Sequence, residues 1–166
     1  MFKKTNIKIN KIMMQNSLHN NDLKSIKFLL GHSFKISGRV IHGKKNGTKI
    51  GIPTANLIIH KNFPLHGVFV SKTIISTQIK EYPSITNVGF QPTFSGISKQ
   101  LEVHLLNTQI NLYGKYITVI FLKKIRNEQK FLTVFDLKNQ ISQDIENVKF
   151  YFNKTNNKHK QFETKE

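Results

Sequence analysis

The spacing of apolar residues changes twice along this chain. Leu18, Leu23, Ile26 and Leu30 recur at about helical intervals, and Gly31 is a residue at which helices stop readily. A short helix is expected over 18–30. Residues 1–17 mix Lys, Asn and Ile with no convincing period, and a loose segment is expected there. From Ser33 the pattern shortens to that of strands. Phe34, Ile36 and Val40 share one parity, with Gly38 among them. Leu57–Ile59, Gly67–Ile75, Ser84–Val88, Leu101–Leu106 and Tyr116–Leu122 follow, separated by Pro64, Pro83, Pro92, Gly96 and Gly114. Six short strands punctuated by turn residues predict a mainly β barrel or sandwich.

The helical period returns near the C-terminus. Thr133 can cap a helix, and Asp136 favours the positive end of its dipole. Val134, Leu137, Ile141, Ile145, Val148 and Phe152 then form one apolar stripe, which must pack on the barrel. The Lys- and Asn-rich stretch 153–166 is expected to be a disordered basic tail. No internal repeat is visible.

Composition narrows the function classes. At 166 residues and 38% hydrophobic, the chain can bury one core. It has no cysteine, which excludes disulfides and thiolate metal sites. Apolar runs such as Ile117–Leu122 fall far short of the roughly 20 residues of a spanning helix. No membrane partner is expected. The polar start of the chain argues against a secretory signal, so a cytoplasmic location is expected. The net charge is +17, yet only two of the 26 basic residues are arginine, Arg39 and Arg126. The lysines are scattered, without a basic helix or a stacking motif. Lys, Asn and Ile share A/T-rich codons, so mutational bias can produce such a composition. Specific nucleic-acid binding is therefore not expected, although salt-sensitive association is.

Three segments carry candidate chemistry. The loop His42–Gly51 has Gly43, Gly47 and Gly51 four apart, with lysines between them. Glycines let the backbone approach a ligand closely, and bare amides with lysines suit phosphate oxygens. A flexible basic hairpin would have the same composition. Next come Pro53, Thr54, Ala55 and Asn56. Thr54 and Asn56 share a face if the segment is extended, and their side-chain oxygens are hard donors suited to Mg²⁺. A turn held by the same side chains is the other reading. In Leu101–Leu106 the odd-numbered residues should face the core, while Glu102 and His104 face away. Glu102 is a candidate general base, or one residue of a solvated strand face. The seven histidines show no zinc-type spacing.

Taken together and in order, these pieces resemble riboflavin kinase. The resemblance rests on Ile36–Gly43, Gly51–Asn56, Asn87–Phe94, Leu101–Leu106, Leu112–Lys115 and Ile125–Phe131. It implies a six-stranded antiparallel Greek-key β-barrel with a C-terminal helix. It implies riboflavin and ATP as substrates, with Mg²⁺, and transfer of a phosphoryl group to the ribityl 5′-hydroxyl. By the same resemblance, Gly43 and the loop to Lys49 would cover the ATP phosphates. Thr54 and Asn56 would hold Mg²⁺ and phosphate, and Glu102 would be the base. Asn107 and Tyr113 would contact ATP. Arg126, Gln129 and Phe131 would contact the flavin. Asn107 and Asn111 depart from the acids common at those positions.

In bacteria this kinase usually follows a domain that adenylylates FMN to FAD. That domain carries a His-x-Gly-His-type motif, which is not found here. Ile9–Gln15 stands where an Ile-Ser-Ser-Thr-x-Ile-Arg-type motif would end it, without the Ser, Thr and Arg. The expected organisation is a remnant or connector over 1–30, a kinase barrel over 31–152 and a tail over 153–166. FAD synthesis is expected to be absent, and the protein to be a monomer. A non-catalytic flavin- or RNA-binding barrel from a decayed gene is the alternative.

Overall fold

The computed structural model describes residues 2–43, 47, 50–93 and 96–163. Two helices, α1 (Phe2–His19) and α2 (Leu23–Leu30), precede the strands β1 (Lys35–Arg39), β2 (Ala55–Ile58), β3 (Gly67–Ile75), β4 (Glu81–Thr93), β5 (Gly96–Leu105) and β6 (Tyr116–Arg126). A long helix, α3 (Val134–Glu163), ends the described chain. The strands form one antiparallel sheet in the order β1-β6-β3-β4-β5-β2. A bridge between Ile41 and Asn56 brings its two edges together, so the sheet is a nearly closed barrel.

Alternation decides what lies inside. Ala55 and Leu57, Phe69, Leu101 and Val103, and Ile117, Val119 and Phe121 are all buried in one cluster. Helix α2 adds Leu23 and Ile26 to it, with Met14 and Leu18 of α1 packed alongside. A second cluster lies on the outer face, where Val148 of α3 meets Val68, Val70, Ile85 and Leu106. Ile145 and Phe152 flank it, as the apolar stripe predicted. Val134, at the start of that stripe, is instead exposed.

The structure corrects the ends of the chain. Residues 2–19 are helical rather than loose, and the expected single helix over 18–30 is two. The break is local: Asn21 has φ 54°, and Asp22 caps α2 by accepting from Ser25 N at 3.2 Å and Ser25 Oγ at 2.7 Å. These hydrogen bonds hold the Asp22 carboxyl below its ordinary range. Asn21 Oδ1 accepts from His66 N at 3.0 Å, which ties the turn to the barrel. Helix α3 likewise continues through 153–163, where composition predicted disorder.

Two prolines read as separators lie within β4. Pro83 pairs with Lys72 of β3, and its carbonyl accepts Leu106 N at 2.9 Å. Its missing N–H falls just past Leu105, at the end of the β4–β5 pairing, where a proline interrupts no continuing ladder.

Candidate functional site

One row of cross-strand neighbours runs over the outside of the barrel. Asn56 of β2 pairs with Glu102 of β5, and Glu102 with Asn87 of β4. Asn87 pairs with Val68 of β3, and Val68 with Arg126 of β6. Partners in register project to the same face. Their neighbours Ala55, Leu57, Leu101 and Val103 fill the interior, so this row points out. Asn56 is nevertheless only 5% exposed, because the segment around Gly43 covers it. Among the described residues, the buried Oδ1 atoms of Asn56 and Asn87 have no hydrogen-bond partner. Each such acceptor costs about 1–3 kcal/mol unless something else satisfies it. A carboxylate between two unsatisfied amide oxygens is a surface shaped for a ligand.

At the Asn56 end the row opens into a cleft of about 970 Å³. Gly43, Thr54, Asn56, His104, Asn107 and Tyr113 are among its lining residues. The glycines are needed for contact, not only for turning. A Cβ on Gly43 would overlap the Asn56 amide, and one on Gly47 would overlap the Ile52 carbonyl and press on Thr54. Gly51 also requires its left-handed φ of 81°. Asn107 turns with φ 55°, and Asn111 Oδ1 accepts from Tyr113 N at 3.0 Å. The Tyr113 ring stacks on His42, with centroids 3.4 Å apart and planes at 21°. His104 Nδ1 lies 2.8 Å from the carbonyl oxygen of Pro53. Lys49, predicted to help cover phosphate, lies outside the described residues.

The cleft suits a hard cation that retains phosphate and water ligands. Thr54 supplies a hydroxyl there, and Asn56 Oδ1 has no hydrogen-bond partner among the described residues. Among the described residues, no group of three or more His, Cys, Asp and Glu could hold a metal.

Arg126 closes the other end of the row. Its Nε donates to both oxygens of Asp144 at 3.1 and 3.0 Å, and Nη2 donates to Oδ2 at 2.7 Å. Gln140 Nε2 donates to Asp144 Oδ1 at 3.1 Å, while Arg126 Nη1 donates to the Asn127 carbonyl at 2.9 Å. The guanidinium also lies 5.9 Å from the centroid of the Phe131 ring. Its planar fork therefore serves a bidentate contact inside the chain, tying β6 to α3. Phe131 is half-buried beside it, and Gln129 is exposed in the loop that follows β6.

The segment Asn87-Val88-Gly89 gains its meaning here. The Glu128 carboxylate rests where a Cβ of Gly89 would stand, so the loop after β6 sits directly on β4. Nearby, Lys99 Nζ donates to the Phe63 carbonyl at 2.6 Å. Burial holds the Lys99 ammonium below its ordinary range, opposed by the Glu128 charge.

The geometry thus unites Gly43, Thr54, Asn56, Asn107 and Tyr113 around one cleft. Glu102 is not among the lining residues but pairs with Asn56, which is, and Arg126 and Phe131 lie at the far end of the row. Asn87, His104 and Asp144 are additional. Asp144 left a readable signal, because it lies on the apolar face of α3, three residues after Ile141 and four before Val148. An acid at such a position needs a cation. Asn87 and His104 gave no comparable signal, because their partners come from other strands and loops.

Comparison with known proteins gives the family and the fold. The flavokinase family model, described as riboflavin kinase, matches residues 30–152. The chain is 47% identical over 158 residues to the bifunctional riboflavin kinase/FMN adenylyltransferase of Buchnera aphidicola subsp. Acyrthosiphon pisum (strain APS), covering 90% of this chain and 49% of that one. It spans about half the length of the curated relatives it matches. A crystal structure described as a macrolide-efflux protein from Streptococcus pneumoniae aligns with TM-score 0.73 and 31% identity, over 82% of this chain and 45% of that one. Riboflavin kinase from Trypanosoma brucei shares the fold at TM-score 0.51 and 21% identity, over 72% and 80% of the two chains. Among the described residues, no helix is long and apolar enough to cross a membrane.

Proposed function

Because the chain belongs to the riboflavin kinase family, we propose that it transfers the γ-phosphoryl group of ATP to the 5′-hydroxyl of riboflavin, releasing FMN and ADP. The observation that carries this reading is the outer row, with Glu102 between Asn56 and Asn87 and a large cleft at one end. Three strand spacings separate Glu102 from Arg126, about 14 Å at about 4.8 Å each. That span is on the scale of a flavin ring with its polyhydroxy chain, the ring beside the loop that follows β6 and the chain reaching over Asn87 towards Glu102.

In this reading Glu102 takes the proton of the 5′-hydroxyl. The freed oxygen pair forms the new bond to γ-phosphorus, the bond to the β–γ bridging oxygen breaks, and ADP leaves with those electrons. Thr54 and Asn56 would hold Mg²⁺, which supplies charge neutralisation on the phosphoryl oxygens when bound. Gly43 and Lys49 would cover the phosphates, and Asn107 and Tyr113 would meet the nucleotide. Arg126, Gln129 and Phe131 would contact the flavin, and the pairing of Arg126 with Asp144 would hold their loop in place. The protein's share of the rate is then position and electrostatics. A monomer acting in the cytoplasm completes the proposal.

A coupled assay of ADP release with riboflavin, with FMN measured in parallel, tests the reading. Wild type should give ADP and FMN in equal amounts, and Thr54→Ala should raise the Mg·ATP requirement. Glu102→Gln should lower kcat by about 10²–10⁴ with an unchanged melting temperature. Near-normal turnover by that variant would remove Glu102 as the base. Riboflavin binding without any ADP release would replace the enzyme with a flavin store.

A further inference from the structure

His104 stands two residues beyond Glu102 on β5, on the same outward face, and no role follows for it from the reaction proposed above. Its Nδ1 is 2.8 Å from the Pro53 carbonyl oxygen. A carbonyl can only accept, so Nδ1 must carry the proton. That requirement is met by one neutral tautomer and by the imidazolium.

The position of the bond matters more than its strength. β2 is short, and its pairing with β5 ends at Ala55 and Val103. Thr54 and Pro53 therefore lie beyond the ladder, on the side of the cleft. Pro53 has no N–H to give. Before it, Ile52 N donates to the Gly47 carbonyl at 2.8 Å. After it, Ile41 N donates to the Asn56 carbonyl at 2.9 Å. Between these two anchors, the hydrogen bond from His104 meets the chain immediately before Thr54.

We propose that His104 is a positioning residue for the nucleotide end of the site: by donating from Nδ1 to the Pro53 carbonyl, it keeps Thr54 and Asn56 turned into the cleft. This rests on the reading that those two side chains meet the metal–nucleotide pair. One strand then carries both the base and the group that sets the opposite wall.

The full-length chain, with Mg·ADP as the probe in calorimetric titrations, tests the proposal. Asn places an amide N–H near the position of Nδ1, whereas Gln carries its amide one carbon further, towards the position of Nε2. His104→Ala and His104→Gln should bind Mg·ADP about tenfold more weakly, as loss of one net hydrogen bond implies. Their KM for Mg·ATP should rise by a similar factor, with kcat less affected. His104→Asn should recover wild-type affinity to within about threefold, since its amide N–H restores the same bond. All three should melt with the wild type, because His104 is only half-buried. Wild-type affinity in the Ala or Gln variant, or an Asn variant as weak as Ala, overturns the proposal. If wild type binds Mg·ADP but leaves riboflavin unphosphorylated, the substrate reading fails and the binding series still decides the role of His104. Absence of Mg·ADP binding by wild type overturns both.

Discussion

Single residues set the fit of the cleft. Period-two spacing alone puts Thr54 on one face with Asn56, and Glu102 on the face opposite Leu101 and Val103. The interior positions of Leu57, Leu101 and Val103 agree with it. That reasoning works within one strand, where the pleat fixes the faces. It cannot reach Asn87, which becomes interesting only through its register with Glu102, nor the contact of Gly43 with Asn56 across a loop. Gly43 is a sensitive position because its φ would suit alanine, while the space would not. Overpacking of this kind costs about 1–3 kcal/mol, and here the Asn56 amide would have to yield. Gly43→Ala should therefore weaken Mg·ADP binding by roughly 5- to 150-fold, as read by titration. Affinity within about twofold of wild type would show that Asn56 absorbs a methyl group without leaving the cleft.

Elements are held in place by fewer contacts than their length suggests. Helix α3 begins with a reciprocal cap: Asp136 N donates to Thr133 Oγ1 at 3.0 Å, and Thr133 Oγ1 donates to Asp136 Oδ2 at 2.7 Å. The sequence disclosed this cap because capping depends on adjacent residues. It did not disclose where α3 ends, or that α1 forms. Lys and Asn dilute the apolar period in both stretches, so composition alone points to disorder. The docking of α3 depends on the Arg126–Asp144 pair, with side chains 17% and 1% exposed. Removing one partner of a buried pair costs about 3–5 kcal/mol, because the other is left charged and unsatisfied. Asp144→Ala should lose about that much in denaturant unfolding. The Lys149–Glu146 pair on the same helix is 43% and 69% exposed, and Glu146→Ala should cost less than about 1 kcal/mol. Equal losses from the two variants would mean that Arg126 finds another partner.

At the scale of the whole molecule, the mainly β class was legible in six alternating segments, while the choice of a barrel over a sandwich came from the resemblance to riboflavin kinase. The strand order was not legible, because pairing joins residues far apart in the chain. Charge is the other global property. With +17 on 166 residues, the folded state concentrates repulsion that the unfolded chain relieves. Raising ionic strength from about 0.01 M to about 0.15 M with sodium chloride shortens the screening length from about 30 Å to about 8 Å. The melting temperature should rise by several degrees over that range. A flat or falling curve would show that the lysines are spread widely enough not to oppose folding.

The reacting row lies on the outside of the barrel, and its interior neighbours on the same strands are buried: Ala55, Leu57, Val88, Leu101 and Val103 are hydrocarbon, and Thr86 belongs to a closed hydroxyl cluster with Ser71 and Ser84. Each strand therefore has two independent sets of positions, alternating residue by residue. Drift in the interior set alters how firmly the scaffold holds, while drift in the outward set alters what it binds or, where α3 covers Val68, Val70 and Ile85, how that helix docks. A lineage whose codons slide towards Lys, Asn and Ile can thus lose thermal margin for a long time before it loses chemistry, and a designer could restore that margin from the inside without touching the row.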